Sequence, residues 1–153
     1  MIRWMIVVLL AFSVCCSKGK DKEGETSGIT VDAKYQAHVE QFGSAIAQKD
    51  YRSAYDLLST NLRSKMSYNE FVETLSPYMD SFSGTIEAGY SDPEDPKDMA
   101  EFVPEADRAK LVAEYTIELS GTIEEDDDAA YFCTAWIIDE DGAPGVGSFY
   151  IED

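Results

Sequence analysis

The sequence predicts an α+β fold in which N-terminal helices pack on a curved antiparallel sheet. Apolar residues recur at helical spacing up to about residue 75, and beyond residue 83 they alternate with polar residues as they do in strands. Helices followed by a run of strands indicate layered α+β packing rather than alternating βαβ units. The 153 residues are 44% hydrophobic and 12% aromatic, which is enough for one packed core.

The first helix is predicted to begin at Asp32, a residue type that caps helix N-termini. Its apolar stripe follows the 3.6-residue period and consists of Tyr35, Val39, Phe42 and Ile46. His38 lies beside the stripe and is the only histidine of the chain, so it cannot build a multi-histidine metal site. We expect an edge or surface histidine rather than a catalytic base.

A second, short helix is predicted to follow Asp50, because the next apolar residues again fall on one helical face. These residues are Tyr51, Ala54, Tyr55 and Leu58. Residues 59–66 are predicted as a turn with one more half-turn of helix.

The third helix has the sharpest start signal in the chain. Ser67 and Glu70 have the spacing of a capping box, and Met66 can pack against Phe71 as a hydrophobic staple. Pro77 disfavours helical geometry at the residue before it. The helix is therefore predicted to end near Leu75.

The second half of the domain has the pattern of strands. Residues 83–91 are predicted as a first strand, and residues 92–107 as an acidic loop interrupted by prolines. In KLVAEYTIELSGTI, residues 110–123, odd positions hold the apolar residues Leu111, Ala113, Tyr115, Ile117, Leu119 and Ile123, and even positions hold Lys110, Glu114, Thr116, Glu118 and Thr122. Residues 130–139 are apolar on both faces, as in a central strand, and a turn at 139–145 precedes the last strand. Long strands joined by short turns form an antiparallel meander.

The segments KDYRSAYDLLS and NLRSKMSYNEF, placed between a long helix and the strands, resemble the NTF2-like (cystatin-like α+β) superfamily, and in particular its small bacterial lipoprotein branch. The resemblance covers residues 33–151 and implies a sheet that curves around the first helix to enclose a conical space. Candidates for the inner faces of this cone, and thus for a ligand pocket, are Tyr55, Tyr78, Tyr115 and Trp136. The alternative is that aromatic side chains fill the cone completely.

Enzymes of this superfamily combine an acid or a histidine in the cone with a tyrosine that binds the substrate carbonyl. No enzyme-specific motif is present onto which those roles can be carried, so no catalytic residue is predicted.

The first residues have the layout of a secretory signal peptide, with Arg3 followed by an apolar run from Trp4 to Val14. The run is short for a membrane-spanning helix. The cysteines that end it resemble the lipobox of bacterial lipoproteins, in which the cysteine after the cleavage site carries lipid. Cys16 is the predicted lipidation site, because the small Cys15 then precedes the cut, and Cys15 itself is the alternative.

Three regions follow from this assignment: residues 1–15 as a lipoprotein signal peptide, 16–31 as a flexible tether and 32–153 as the NTF2-like α+β domain. The protein is predicted to be exported to the bacterial cell envelope and anchored to a membrane through its N-terminal lipid. An ordinary signal peptide with idle cysteines is the alternative.

The formal net charge of −18 repels a phosphate backbone, so a nucleic-acid partner is not predicted. Acidic turns near residues 124–128 and 139–142 suggest calcium ligands. Placing Asp139 and Asp141 on a calcium-binding loop puts Ile137 at the first ligand position, so no metal site is predicted. No phosphate-binding glycine loop is present, and no cofactor is predicted. Cys133, in an apolar strand, is predicted as a small buried hydrophobic residue.

The leading functional hypothesis is a noncatalytic, lipid-anchored envelope protein that binds a small molecule or a protein partner. One alternative is a ketosteroid-isomerase-like or dehydratase-like enzyme with a carboxylate and a tyrosine in the cone. Another is an acidic interaction or inhibitor protein that could dimerise through its sheet and use residues 92–107 against a basic partner. An enzyme is expected to have a pocket carboxylate with a raised pKa near a tyrosine hydroxyl, and a small-molecule binder an open apolar cone without one. An interaction protein is expected to have a filled cone and salt-sensitive association.

Overall fold

A computed structural model of the chain describes residues 29–96, 101–123 and 127–152, and it confirms the α+β fold class. The helices are α1 (Ala33–Ala47), α2 (Tyr51–Asp56), α3 (Thr60–Lys65) and α4 (Tyr68–Met79). The strands are β1 (Glu87–Tyr90), β2 (Leu111–Thr122), β3 (Asp128–Glu140) and β4 (Ala143–Glu152), and a 3-10 helix, Glu105–Lys110, precedes β2. The predicted signal peptide, Cys15, Cys16 and most of the predicted tether lie outside the described residues.

Each α-helix begins at a side chain that accepts a hydrogen bond from an otherwise unpaired backbone N–H group. Asp32 caps α1, Asp50 caps α2, and Ser67 with Glu70 forms both halves of the predicted capping box on α4. Ser59 caps α3 by accepting a hydrogen bond from the Leu62 amide. This cap explains why residues 60–65 form a complete short helix where the sequence predicted only a half-turn.

Helix α4 continues through Pro77 to Met79, so the prediction that it ends near Leu75 was wrong. Proline lacks one amide donor, but its fixed φ angle is compatible with a helix. The Asp80 amide still donates to the carbonyl of Ser76, at 2.8 Å. Met79 is fully buried in the core, and this burial holds the last turn in place.

The four strands form one antiparallel sheet in the order β1-β2-β3-β4. The predicted meander is therefore confirmed. The turn between β3 and β4 is shorter than predicted, because Asp141 and Gly142 adopt positive φ angles of 56° and 94° and close a two-residue hairpin. Strand β4 consequently begins at Ala143 rather than near Gly145.

The sheet has two faces with different coverings. The inner face carries the main hydrophobic core against the helices, including Tyr115, Ile117 and Leu119 of β2. The outer face carries a smaller cluster formed by Val103, Trp136 and Ile138. The segment that leads into the 3-10 helix thus covers one end of the outer face and leaves the other end open.

Candidate functional site

Aromatic side chains occupy the space between the helices and the inner face, where the sequence predicted a cone. Phe42 of α1 lies 6.4 Å from Phe71 of α4 and 5.9 Å from Phe149 of β4, measured between ring centroids. The rings of Phe71 and Phe149 are 5.4 Å apart and meet edge to face. These separations are those of rings in direct contact.

The inner core is closely packed. A side chain that lines a hollow of ligand size keeps surface that water can reach, but Phe42, Phe71 and Ile117 are 0% exposed and Tyr115 is 1% exposed. The largest fully buried side chains come from both the helices and the inner face of the sheet. The observed packing matches the alternative in which aromatic and aliphatic side chains fill the cone.

Tyr55, one of the four predicted pocket residues, is half-buried between helices. Its ring meets Tyr68 and Phe71 edge to face, each at 5.6 Å between centroids. Its hydroxyl donates a 2.8 Å hydrogen bond to the carbonyl of Met66. This hydrogen bond holds the connection between α3 and α4 in place. The Tyr55 hydroxyl is therefore not free to donate to a ligand.

Tyr78, the second candidate, is half-buried at the end of α4. Its ring contacts Tyr131 of β3 edge to face at 5.2 Å between centroids. The hydroxyl of Tyr131 in turn shares a 3.0 Å hydrogen bond with Ser81. The pair fastens the end of α4 to the inner face of the sheet.

Tyr115, the third candidate, is the tyrosine whose environment best matches the enzyme hypothesis. Its hydroxyl has no hydrogen-bond partner among the residues that the structure describes. Burial raises the pKa of Tyr115, and the negative charge of Glu40 raises it further. However, a side chain that is 1% exposed offers a substrate no access without rearrangement of the core.

Trp136, the fourth candidate, lies on the outer face, so its predicted place on the inner face was wrong. Tyr115 pairs with Ala135, and Glu114 pairs with Trp136. Because partners across an antiparallel pair share a face and neighbours along a strand do not, Trp136 faces away from Tyr115. The Trp136 indole donates a 2.8 Å hydrogen bond to the Glu114 carboxylate, and the Phe102 ring stacks on it.

The open part of the outer face is a regular array of side chains on β2, β3 and β4. Phe132 lies between Glu118 and Glu152, its partners on the two neighbouring strands. In the next row, Thr134 lies between Thr116 and Tyr150. Phe132 is 39% exposed and Tyr150 is 53% exposed, and the register makes them diagonal neighbours.

The charge of the outer face is entirely negative in the described strands, which contain no lysine or arginine. By register and alternation, the strand carboxylates on this face are Glu87, Glu114, Glu118, Asp128, Glu140 and Glu152, and Glu94 joins them through its bridge to Glu114. The pKa of Glu114 is raised, mainly by burial and further by the charge of Glu94. The hydrogen bond from Trp136 lowers it in part. The sequence did not predict an aromatic and acidic surface here, although the alternation of β2 placed Glu114, Thr116 and Glu118 on one solvent-facing side.

Grooves formed by described residues also lie on the helical side of the molecule. One, of about 640 Å³, runs along α1 and α2 and is lined mostly by polar residues, including Glu40, Asp50 and Asp56. Another, of about 460 Å³, lies between α1 and β1 and includes Ser44 and Tyr90. Both open broadly to solvent, and neither is lined by the four predicted pocket residues.

The other titratable side chains considered, His38, Cys133 and Asp107, contribute to the packing of the fold. His38 donates through Nε2 to the carbonyl of Leu57, at 2.9 Å, and burial lowers its pKa. Cys133 is buried as predicted, and its burial raises its pKa to about 12. Asp107, in the predicted acidic loop, is buried and accepts a hydrogen bond from Asn61 at 2.8 Å.

Within residues 29–96, 101–123 and 127–152, no cluster of three His, Cys, Asp or Glu side chains could hold a metal ion. No helix in the same part of the chain is long and apolar enough to cross a membrane.

Comparison with known proteins leaves the geometry as the basis for a functional assignment. The sequence matches no protein-family model, and searches of curated proteins and of solved structures give no match.

Proposed function

We propose that the protein is a noncatalytic, lipid-anchored protein of the bacterial cell envelope that binds a partner protein through its surface. The observation that carries this proposal is the close packing of Phe42, Phe71 and Phe149 in the space where a ligand would lie. A small-molecule binder of the cone type needs a hollow lined by apolar side chains. With the interior occupied, the surface is the part of the domain available for recognition.

The packing also disfavours the enzyme alternative. A general acid or base must come within about 2.6 to 3.2 Å of the proton that it moves. Of the three predicted pocket tyrosines, Tyr55 donates its hydroxyl to a backbone carbonyl, and the hydroxyl of Tyr115 is enclosed by the core. Neither donates to a carboxylate among the described residues.

The location rests on the sequence. The apolar run that ends at Cys15 and Cys16 supports export and lipid attachment, with Cys16 as the proposed site. Palmitate labelling of cells that express the full chain is expected to mark the natural protein and the Cys15→Ala variant, but not Cys16→Ala. Labelling that disappears only in Cys15→Ala would move the attachment site to that residue.

The NTF2-like superfamily remains the proposed fold family. Its support is the sequence resemblance together with the observed order of helices and a four-stranded antiparallel sheet.

The binding mode can be tested with a small apolar probe. Benzene enters and occupies apolar cavities created in protein cores. NMR signals of the Ile117 and Leu119 methyl groups in the full chain, kept in nonionic detergent, are expected not to respond to benzene. The Leu75→Ala variant supplies the positive control, because removing that fully buried side chain opens a void in the same hydrophobic cluster. A saturable response of the natural chain would overturn the proposal and restore the small-molecule binder.

A further inference from the structure

We infer that the open part of the outer face is a docking surface for a cationic segment of a partner protein. This inference rests on the proposed function and names the surface and the chemistry of the partner. The docking surface consists of Phe132 and Tyr150, flanked by Glu118, Glu152, Thr116 and Thr134.

The apolar component of the docking surface is unusual for a solvent-facing sheet. Of the three exposed large hydrophobic side chains in the described chain, Phe132 and Tyr150 lie on this surface, and Phe102 borders it by stacking on Trp136. Grouped exposed aromatic residues mark interaction sites, and Tyr is among the residues that carry most binding energy at interfaces. Phe132 sits on an interior strand of the sheet, so its exposure does not result from a frayed edge.

The charged component selects a cationic partner. Glu118 and Glu152 are both exposed and lie on opposite sides of Phe132. Neighbouring strands are about 4.8 Å apart, so the two residues are separated by about 10 Å at the backbone. In a segment with polyproline II conformation, residues three positions apart lie on the same side and about 9.3 Å apart. A segment with two arginines three positions apart can therefore pair with both carboxylates while its intervening side chains contact Phe132. Arginine can also stack on the Tyr150 ring.

The same charges argue against a second copy of this chain as the occupant. A two-fold interface brings the same surface of each subunit together. The docking surface would then place Glu118 and Glu152 against carboxylates of an identical surface, with no lysine or arginine in the described strands to compensate. Unpaired like charges in a desolvated interface are destabilising.

The test is an NMR titration of the full chain in nonionic detergent with defined peptides. The probe is Gly-Arg-Leu-Leu-Arg-Gly with blocked ends, and the matched control peptide has glutamate in place of both arginines. The protein variants are Phe132→Thr and Tyr150→Thr, which keep residues favourable in strands, and Glu118→Gln, which removes one charge. Glu73→Gln on α4 makes the same charge change on the helical side of the domain, at an exposed side chain.

The arginine peptide is expected to shift the amide signals of Thr116, Phe132 and Thr134, and the glutamate peptide is not. Affinity is expected to fall about tenfold in Phe132→Thr and Tyr150→Thr, as for residues that dominate an interface. It should also fall in Glu118→Gln and at high salt, but stay unchanged in Glu73→Gln.

Several results would overturn the inference. Equal binding of the two peptides would remove the charge argument, and signal changes confined to the α1 and α2 groove would move the site. Concentration-dependent shifts on the docking surface without any peptide, together with a dimeric mass, would make a second copy the occupant. None of these results would place a ligand in the core. The outcome of the benzene test of the proposed function is therefore independent of this titration.

Discussion

The Trp136 indole donates a 2.8 Å hydrogen bond to the Glu114 carboxylate across strands β2 and β3. This contact holds the tryptophan flat under Phe102, at the covered end of the outer face. The carboxylate is partly withdrawn from water, and Glu94 is its partner in an isolated bridge, so two acids lie side by side there. The hydrogen bond holds Trp136 at the edge of the docking surface, although two like charges, Glu94 and Glu114, then lie next to each other.

We predict that Glu114→Gln raises the urea midpoint of unfolding at pH 7. Burial raises the pKa of Glu114 in the folded state, so the folded state prefers the protonated form. The stability contributed by this group is present below its unfolded pKa and is lost as the pH rises through the folded value. Glutamine keeps an acceptor for the Trp136 indole and has no charge to lose.

The gain should shrink as the pH falls towards the ordinary glutamate pKa of about 4.3. The exposed Glu73→Gln variant is the control. A lower midpoint for Glu114→Gln at pH 7 would show that the charged hydrogen bond outweighs the desolvation and repulsion of the carboxylate.

Tyr35→Phe is predicted to destabilise the fold at neutral pH. The Tyr35 hydroxyl on α1 donates to Asp139 at the β3–β4 hairpin, and the Gly142 amide donates to the same carboxylate at 2.6 Å. The Tyr35 hydrogen bond is the main cause of the lowered pKa of Asp139, followed by the Gly142 amide. Such a group contributes stability above its unfolded pKa and loses it as the pH falls through the lower folded value.

The urea midpoints of the natural chain and Tyr35→Phe should therefore differ at pH 7 and converge at pH values below the lowered pKa of Asp139. A difference that stays constant on acidification would assign the effect to packing of the ring rather than to the carboxylate.

Gly43→Ala is predicted to destabilise the domain although alanine favours helices. A Cβ at Gly43 would lie 2.8 Å from Ile117 Cγ2 and 2.8 Å from Tyr90 Cε1, which is far inside van der Waals contact. Ile117 is fixed in the core, so α1 must move away from the sheet. Overpacking of this kind costs about 1 to 3 kcal/mol, more than the gain of up to about 1 kcal/mol in helix propensity.

Gly84→Ala is the matched control, because nothing lies within 4 Å of its new methyl group. The measurement compares the melting temperatures of both variants with that of the natural chain by thermal unfolding. An unchanged melting temperature for Gly43→Ala would mean that α1 lies further from the sheet than the structure shows.

The Cys133 thiol is predicted to react with a water-soluble disulfide reagent only when the protein unfolds. Its side chain is fully buried, and a pKa of about 12 leaves almost no thiolate at pH 8. The measurement uses the full chain with Cys15→Ser and Cys16→Ser, so that one thiol is counted. Labelling should follow the urea unfolding curve. Fast labelling in the absence of urea would place the thiol at a reactive surface.

The sequence predicted those parts of the fold that depend on local signals. The Ser67 capping box and the alternation of β2 from Ala113 to Leu119 each have one structural solution, and both are observed. Pro77 misled the prediction because the burial of Met79, a tertiary effect, outweighed a local preference.

Trp136 shows why the candidate site was harder to predict. Strand β3 is apolar on both faces, so its pattern does not tell which residues face the helices. The register with β2 decides it, since Glu114 is opposite Trp136. For the same reason Phe132 gave no signal as an exposed residue until its partners Glu118 and Glu152 were known.

The filled interior is the central claim, and a crystal structure of the protein under xenon pressure tests it most directly. Xenon occupies dry apolar cavities of sufficient size. We predict no xenon site among Phe42, Tyr115 and Phe149, whereas crystals of Leu75→Ala should show one near the deleted side chain. A xenon atom or an ordered ligand between these rings in the natural protein would contradict the account and return the search for function to the cone.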